Sequence, residues 1–253
     1  VNMVSSWSMN EPLVLVVVVI STLVHAVFGF GSALVAMPIL AVSSGLAFAT
    51  PFVALMCSVI NLILTVRYWQ QVYWRPAIYL LLGSCLGIPL GIWLLQGLRE
   101  DLLRFILGFV IAANSIYGLF RPEMPRLKDD GLAWLFGLIS GVLGGAYNTN
   151  GPPVLIYGLM RRWSVLNFIA TIQCYFLITG LLVLSWHGIS GLWSREVLRM
   201  FLQSLPAIWI GLYIGRRLRK RLSDVLYVRY LHLFLIVSGL SLMFSCVFKK
   251  LIT

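Results

Sequence analysis

The chain has 253 residues, 60% of them apolar and only 11% charged, with a formal charge of +11. Charges approach a quarter of the residues in a soluble globular domain, so that class is excluded, as is a membrane β-barrel, which would show alternating ten-residue segments. The basic residues sit in short clusters between apolar spans, as at Arg216 to Arg221, and mark membrane topology rather than a nucleic-acid surface.

The opening residues 1–11 carry no basic run and no small-residue cleavage site, so the first helix is expected to stay in the mature protein. The apolar segment 12–42 follows, broken at Gly29-Phe30-Gly31-Ser32 and carrying Pro38 in its second arm. Three stretches then reach the ~20 residues a membrane helix needs: 51–68, 76–98 and 102–120. An acidic-basic linker occupies 121–130. Between Asp130 and Arg161 lie 30 uncharged residues, too many for one pass and too few for two. Their middle reads Gly144-Gly145-Ala146-Tyr147-Asn148-Thr149-Asn150-Gly151-Pro152-Pro153, a run that weakens a helix and then suits the first turn of a new one. Three further spans complete the chain, at 164–186, 197–215 and 225–248. Cys57, Cys85, Cys174 and Cys246 all fall in apolar stretches without C-x-x-C spacing and are read as packing residues.

An offset of 115 residues lays Gly29 on Gly144 and Pro38 on Pro153, and Gly87-x-x-x-Gly91 corresponds in order to Gly211-x-x-x-Gly215. The expected domains are therefore a first repeat at 1–120, the linker 121–130 and a second repeat at 131–253. If both broken segments cross the membrane, the basic residues divide ten against nine; if both are re-entrant hairpins, thirteen oppose six. The positive-inside rule favours the hairpins, with both termini periplasmic. Three full passes per repeat, an odd number, make the repeats inverted. The fold class expected is an all-α polytopic membrane protein of two inverted-topology repeats, each a broken re-entrant helix pair plus three full helices.

Irregular backbone at membrane depth needs a cavity or protein partners for its polar groups. The second arms start near Ser32 and near Gly151-Pro152, where amides and positive dipole ends favour an anion. His25-Ala26-Val27-Phe28-Gly29-Phe30-Gly31-Ser32 followed by Met37-Pro38, and Gly141-x-x-Gly144-Gly145 followed by Asn150-Gly151-Pro152-Pro153 and Tyr157, resemble the paired glycine-proline motifs of the TauE/SafE sulfite exporter family. The resemblance covers nearly the whole chain and implies a bacterial inner-membrane permease for sulfite or a small organosulfonate. Asn148-Thr149-Asn150 stands where many relatives carry a plainer glycine-rich run.

The substrate-binding residues expected are His25, Gly29, Gly31, Ser32, Tyr147, Asn148, Thr149, Asn150, Gly151 and Pro152, at a midplane site. Asn61, Arg67, Asn114 and Gln173 are expected along the path, where interhelical bonding competes for the amides and interface anchoring for Arg67. His232 is expected to face another helix, and His25 either binds the anion, carries a proton or bonds a freed carbonyl. The eight acidic residues all fall in loops or at span ends, so no carboxylate relay is expected. Export then runs on the membrane potential, about 2.3 kcal/mol per charge per 100 mV, or is proton-linked. No cofactor and no metal are expected; the partners are the small anion and membrane lipid, and a homodimer is compatible with the sequence. An enzyme is disfavoured by the lack of H-E-x-x-H, G-x-S-x-G or P-loop motifs. Gly29-x-Gly31 lacks the last glycine of a dinucleotide fingerprint and any βαβ context. The competing reading is an anion-selective channel, or a permease for another small oxyanion or carboxylate.

Overall fold

The computed structural model describes residues 11–97, 109, 112, 113, 115, 116, 119, 126–147, 150–189 and 191–252. Among these every regular element is helical. In chain order they are α1 (Glu11–Phe28), α2 (Ser32–Ser44), α3 (Leu46–Tyr68) with a 3₁₀ turn at Trp69–Gln71, α4 (Trp74–Gly97), α5 (Ala133–Tyr147), α6 (Gly151–Met160), α7 (Val165–Ile189), α8 (Arg195–Arg221) and α9 (Asp224–Ile252). Most of the span expected at 102–120 lies outside the described residues.

Four described helices are long and apolar enough to cross a membrane: Glu11–Phe28, Ala47–Gln71, Val165–Ile189 and Arg195–Arg221. At 1.5 Å per residue α1 extends ~27 Å, whereas α2, α5 and α6 extend ~20, ~22 and ~15 Å, short of the ~30 Å hydrocarbon core. Apolar side chains form much of the outer surface, while several polar ones are buried inside. Val42 is 87% and Val66 65% exposed, while Ser21, Thr22, His25, Ser32, Ser140, Thr171, Gln173 and Ser204 are buried. Lipid is the solvent such a surface fits.

Two compact units emerge, one of Val1–Gln70 with Gln173–Leu222, the other of Gln71–Ile172 with Ser223–Thr253. In the first, α1 lies against α8 at close range because α8 carries Gly211 and Gly215. A Cβ on Gly211 would stand 2.8 Å from Thr22 Cβ, and one on Gly215 2.6 Å from Ala26 Cβ. Small residues at this spacing let helices touch without a hydrophobic driving force. Behind them Val14, Val18, Leu40, Phe52, Met56, Ile60, Ile208 and Leu212 fill the core. Ser194 caps α8 by accepting from the Val197 amide at 3.2 Å. Helix α3 begins at Leu46, five residues before the expected Pro51, because Gly45 (φ 81, ψ 156) turns the chain straight out of α2.

In the second unit α4 and α5 meet backbone to backbone. Cβ atoms on Gly83, Gly87 and Gly91 would lie 2.0, 2.2 and 2.1 Å from the carbonyl oxygens of Trp134, Leu138 and Val142, and one on Gly137 2.1 Å from that of Leu80. Ser84 Oγ donates to the Gly137 carbonyl at 2.9 Å, tying the pair. Helix α6 ends in a Schellman arrangement: Trp163 N donates to Gly158 O at 3.4 Å and Arg162 N to Leu159 O at 3.0 Å. Arg162 occupies the left-handed position with φ 50, where glycine is usual. Its neighbour Arg161 pairs with Asp130 at 2.9 Å, and Asp130 also accepts from the buried Tyr157 hydroxyl at 3.0 Å.

Candidate functional site

The first break is formed by Gly29 (φ 83), Phe30 and Gly31 (φ 101, ψ −5). Two left-handed residues in three would strain any side chain, so only the glycines allow α1 to stop and α2 to restart within three residues. Gly29 N still donates to His25 O at 2.7 Å, closing α1, and Val35 N donates to Gly31 O at 3.1 Å, opening α2. No side chain caps α2.

Around this turn the buried polar groups form one chain of hydrogen bonds. His25 Nδ1 lies 2.7 Å from Ser32 Oγ, across the break. Its Nε2 faces the Gln173 amide, 3.1 Å from Oε1 and 3.0 Å from Nε2. Gln173 Nε2 donates to the Gly29 carbonyl at 2.6 Å, satisfying an acceptor that the break would otherwise leave bare. Ser32 Oγ in turn meets Cys57 Sγ at 3.2 Å. His25, Ser32 and Gln173 are all buried. The heavy atoms accommodate two donor orders. In one, the thiol donates to the hydroxyl, the hydroxyl to Nδ1, and Nε2–H to Gln173 Oε1. In the other, Gln173 Nε2–H donates to the ring, Nδ1–H to the hydroxyl, and the hydroxyl to sulfur. Neutral imidazole supports either, since one ring nitrogen donates while the other accepts.

Of the residues expected from sequence, His25, Gly29, Ser32 and Gln173 are thus in direct contact, and Gly31 supplies the turn. Asn61 is buried on α3, and its Oδ1 has no partner among the described residues. Arg67 is exposed at the end of α3, apart from this cluster. Cys57 was expected only to pack, yet it touches Ser32; its place four residues before Asn61, on the same face of α3, was the available signal. Cys85 is exposed on α4 rather than packed inside.

At the second break α5 continues through Gly144 and Gly145 to Tyr147, and α6 starts at Gly151. The glycines therefore lie within the helix rather than at the break, and the space freed at Gly144 has another use. A Cβ on Gly144 would stand 3.1 Å from Asn150 Cβ, so glycine admits the returning chain. Ser140 Oγ donates to the Asn150 carbonyl. Asn150 precedes α6 with φ −91 and ψ −3, and its side chain makes no cap bond. Pro152 and Pro153 are buried in the first turn of α6. Having no N–H, they remove two of the amides that a helix N-terminus would present. The breaks therefore differ: α2 offers the amides of its first turn, α6 chiefly that of Gly151 and the groups of Asn150. Asn148, Thr149 and Asn114 lie outside the described residues, as does the Tyr147 side chain.

Among the described residues no cluster of His, Cys, Asp or Glu could hold a metal ion. The chemistry available at the first break is donation from neutral hydroxyl, imidazole, amide and backbone groups. Such a set suits reversible capture of a small anion more than covalent catalysis.

The family described as "Sulfite exporter TauE/SafE" matches residues 13–242. The chain is 23% identical over 237 residues to the probable sulfite/organosulfonate exporter TauE of Cupriavidus necator, covering 89% of this chain and 91% of that protein. It is 26% identical over 176 residues to the probable inner membrane transporter protein TsaS of Comamonas testosteroni, covering 69% and 74%. No solved structure matches significantly. With a family match over all but the chain's ends, and with helices of membrane length bearing apolar outer faces, this chain belongs to the TauE/SafE sulfite exporter family and is a membrane transporter, not an enzyme.

Proposed function

We propose that the protein carries sulfite or a small organosulfonate out across the bacterial inner membrane, binding the anion near the midplane at its helix breaks. The observation that carries this reading is the buried, carboxylate-free hydrogen-bond chain Cys57–Ser32–His25–Gln173–Gly29 at the first break. An anion entering there meets the Ser32 hydroxyl and the first-turn amides of α2, and Asn150 and Gly151 offer donors at the second break. Neutral donors hold an anion without trapping it, as turnover requires. The relatives' names supply the substrate class: one is called a probable sulfite/organosulfonate exporter.

Outward movement of a monoanion is favoured by about 2.3 kcal/mol per 100 mV of inside-negative potential. The two donor orders of the His25 chain add a route for proton-linked movement, since the ring exchanges tautomers without displacing a heavy atom. Inverted duplication belongs to the same proposal, with re-entrant breaks and both termini periplasmic. It is supported by the way each first arm packs: α1 and α5 each lie against a Gly-x-x-x-Gly helix from the other half of the sequence, α8 and α4.

The direct test is counterflow of labelled sulfite, and of a labelled short sulfonate, into proteoliposomes. Ser32→Ala and Asn150→Ala should each abolish it while leaving the protein folded. Normal uptake by both variants would reject the site. Uptake that never saturates with substrate would favour the channel reading.

A further inference from the structure

Four helix ends of the second unit converge around a basic surface cavity that the transport reading does not use. The start of α4, the segment before α5, the end of α6 and the turn into α7 enclose about 570 Å³. Five cations line it, Arg75, Arg126, Lys128, Arg161 and Arg162, against the single acid Asp130. Arg161 and the Tyr157 hydroxyl already occupy that acid. Among the described residues no ion pair engages Arg126, Lys128 or Arg162. Arg161 Nε is buried without a partner, although the rest of its guanidinium bonds Asp130 and, at 2.8 Å, the Leu127 carbonyl. Arg162 is held at φ 50, a conformation that costs an arginine and would cost glycine nothing, and its side chain lines this cavity.

The aromatic lining identifies the setting. Tyr73, Trp74 and Trp163 border the cavity, and Tyr73 and Trp74 are exposed where the 24-residue apolar helix α4 begins. Trp and Tyr at such a position sit at the level of lipid headgroups. A cavity of this size, lined by cations and aromatic rings together, exceeds what a three-oxygen sulfur anion fills. We propose that it holds the phosphate headgroup of an acidic phospholipid, with Arg126, Lys128 and Arg162 on the phosphate oxygens and the aromatic rings against the glycerol and upper acyl chain. Basic pockets between membrane helices recognise headgroups in this manner. The assignment does not depend on which anion is transported.

The probe is short-chain phosphatidylglycerol added to the purified full-length protein, with short-chain phosphatidylcholine, inorganic phosphate and sulfite in parallel, read by thermal unfolding. The variant combines Arg126→Gln and Lys128→Gln with Arg162→Gly, all at exposed positions, and leaves the Arg161–Asp130 pair intact. Each Lys or Arg near an acidic headgroup contributes roughly a fivefold factor, so half-saturation should rise on the order of 100-fold in the triple variant and about fivefold in Lys128→Gln alone. Phosphatidylcholine should leave the unfolding temperature unchanged. Equal stabilisation of wild type and variants by phosphatidylglycerol would overturn the proposal. So would inorganic phosphate or sulfite reproducing the shift at the same concentration, which would make this a site for free anions. Native mass spectrometry supplies a second reading: phosphatidylglycerol retained by the wild type and by the variants alike also refutes the headgroup site.

Discussion

Replacing Gln173 by methionine keeps the length and flexibility of the side chain and removes both polar ends. The residue is fully buried, and its amide spans two groups: the Gly29 carbonyl at 2.6 Å and His25 Nε2 at 3.0 to 3.1 Å. Gln173→Met therefore strands one acceptor created by the helix break and one ring nitrogen. A stranded buried group costs about 1–3 kcal/mol, while single bonds inside membrane proteins average only about 0.6 kcal/mol because the unfolded state also finds partners. Two groups in one network place the expected loss near 2 kcal/mol, roughly a 30-fold shift in the folding equilibrium. The consequence for transport is larger than for stability, because the same amide positions both the break and the imidazole. Counterflow should fall at least about tenfold, even after correction for the fraction of protein folded. Gln173→Glu should be worse, since a carboxylate would set an acceptor against the Gly29 oxygen at that distance. Thermal unfolding in detergent and sulfite counterflow in proteoliposomes read the two effects. A methionine variant with wild-type melting and wild-type uptake would refute the claim that this amide organises the break.

Gly87→Ala should destabilise by about 1–3 kcal/mol, since its Cβ would lie 2.2 Å from the Leu138 carbonyl oxygen and the helices must separate. Gly45→Ala meets no atom within 4 Å, but φ 81 with ψ 156 is a conformation nearly confined to glycine, so about 1–3 kcal/mol of pure backbone strain is expected; the two melting shifts check both. Arg162→Gly should stabilise the protein in the absence of lipid by up to about 1 kcal/mol, because the left-handed position is relieved, and an unchanged or lower melting temperature would contradict this. Asp130→Asn should cost about 1 kcal/mol after allowance for partial exposure of the pair, and Tyr157→Phe about the same or less, both measured by thermal unfolding. A cytoplasmic reporter fused after Thr253 should be inactive and a periplasmic one active; the reverse would overturn the hairpin topology.

Helix breaks are legible in sequence because their causes are local. Glycines at 29 and 31, and the Asn150-Gly151-Pro152-Pro153 run, each dictate backbone behaviour within a turn or two, and both breaks fall where these residues demand. The position of the second break was harder to read. Gly144-Gly145 suggests a turn, but within α5 Gly144 serves tertiary packing, and only the neighbour's position at Asn150 reveals that use. The same holds for Gln173. From sequence it is one amide in an apolar helix, equally suited to any interhelical bond, and nothing in its surroundings names Gly29 and His25, which lie 144 and 148 residues away.

The donor count at each break follows from elementary chemistry, yet a reading based on helix polarity passes over it. Two half-helix N-termini suggest two equivalent anion sites. Pro152 and Pro153, the residues that make α6 begin where it does, also delete its amides, whereas α2 begins after Gly31 with no proline until Pro38. The dipole of α6 survives, but two of the amides of its first turn do not, which leaves that of Gly151 and the groups of Asn150. On the transport reading proposed above, Ser32 and the first-turn amides of α2 would therefore carry more of the hydrogen bonding to an anion than the start of α6.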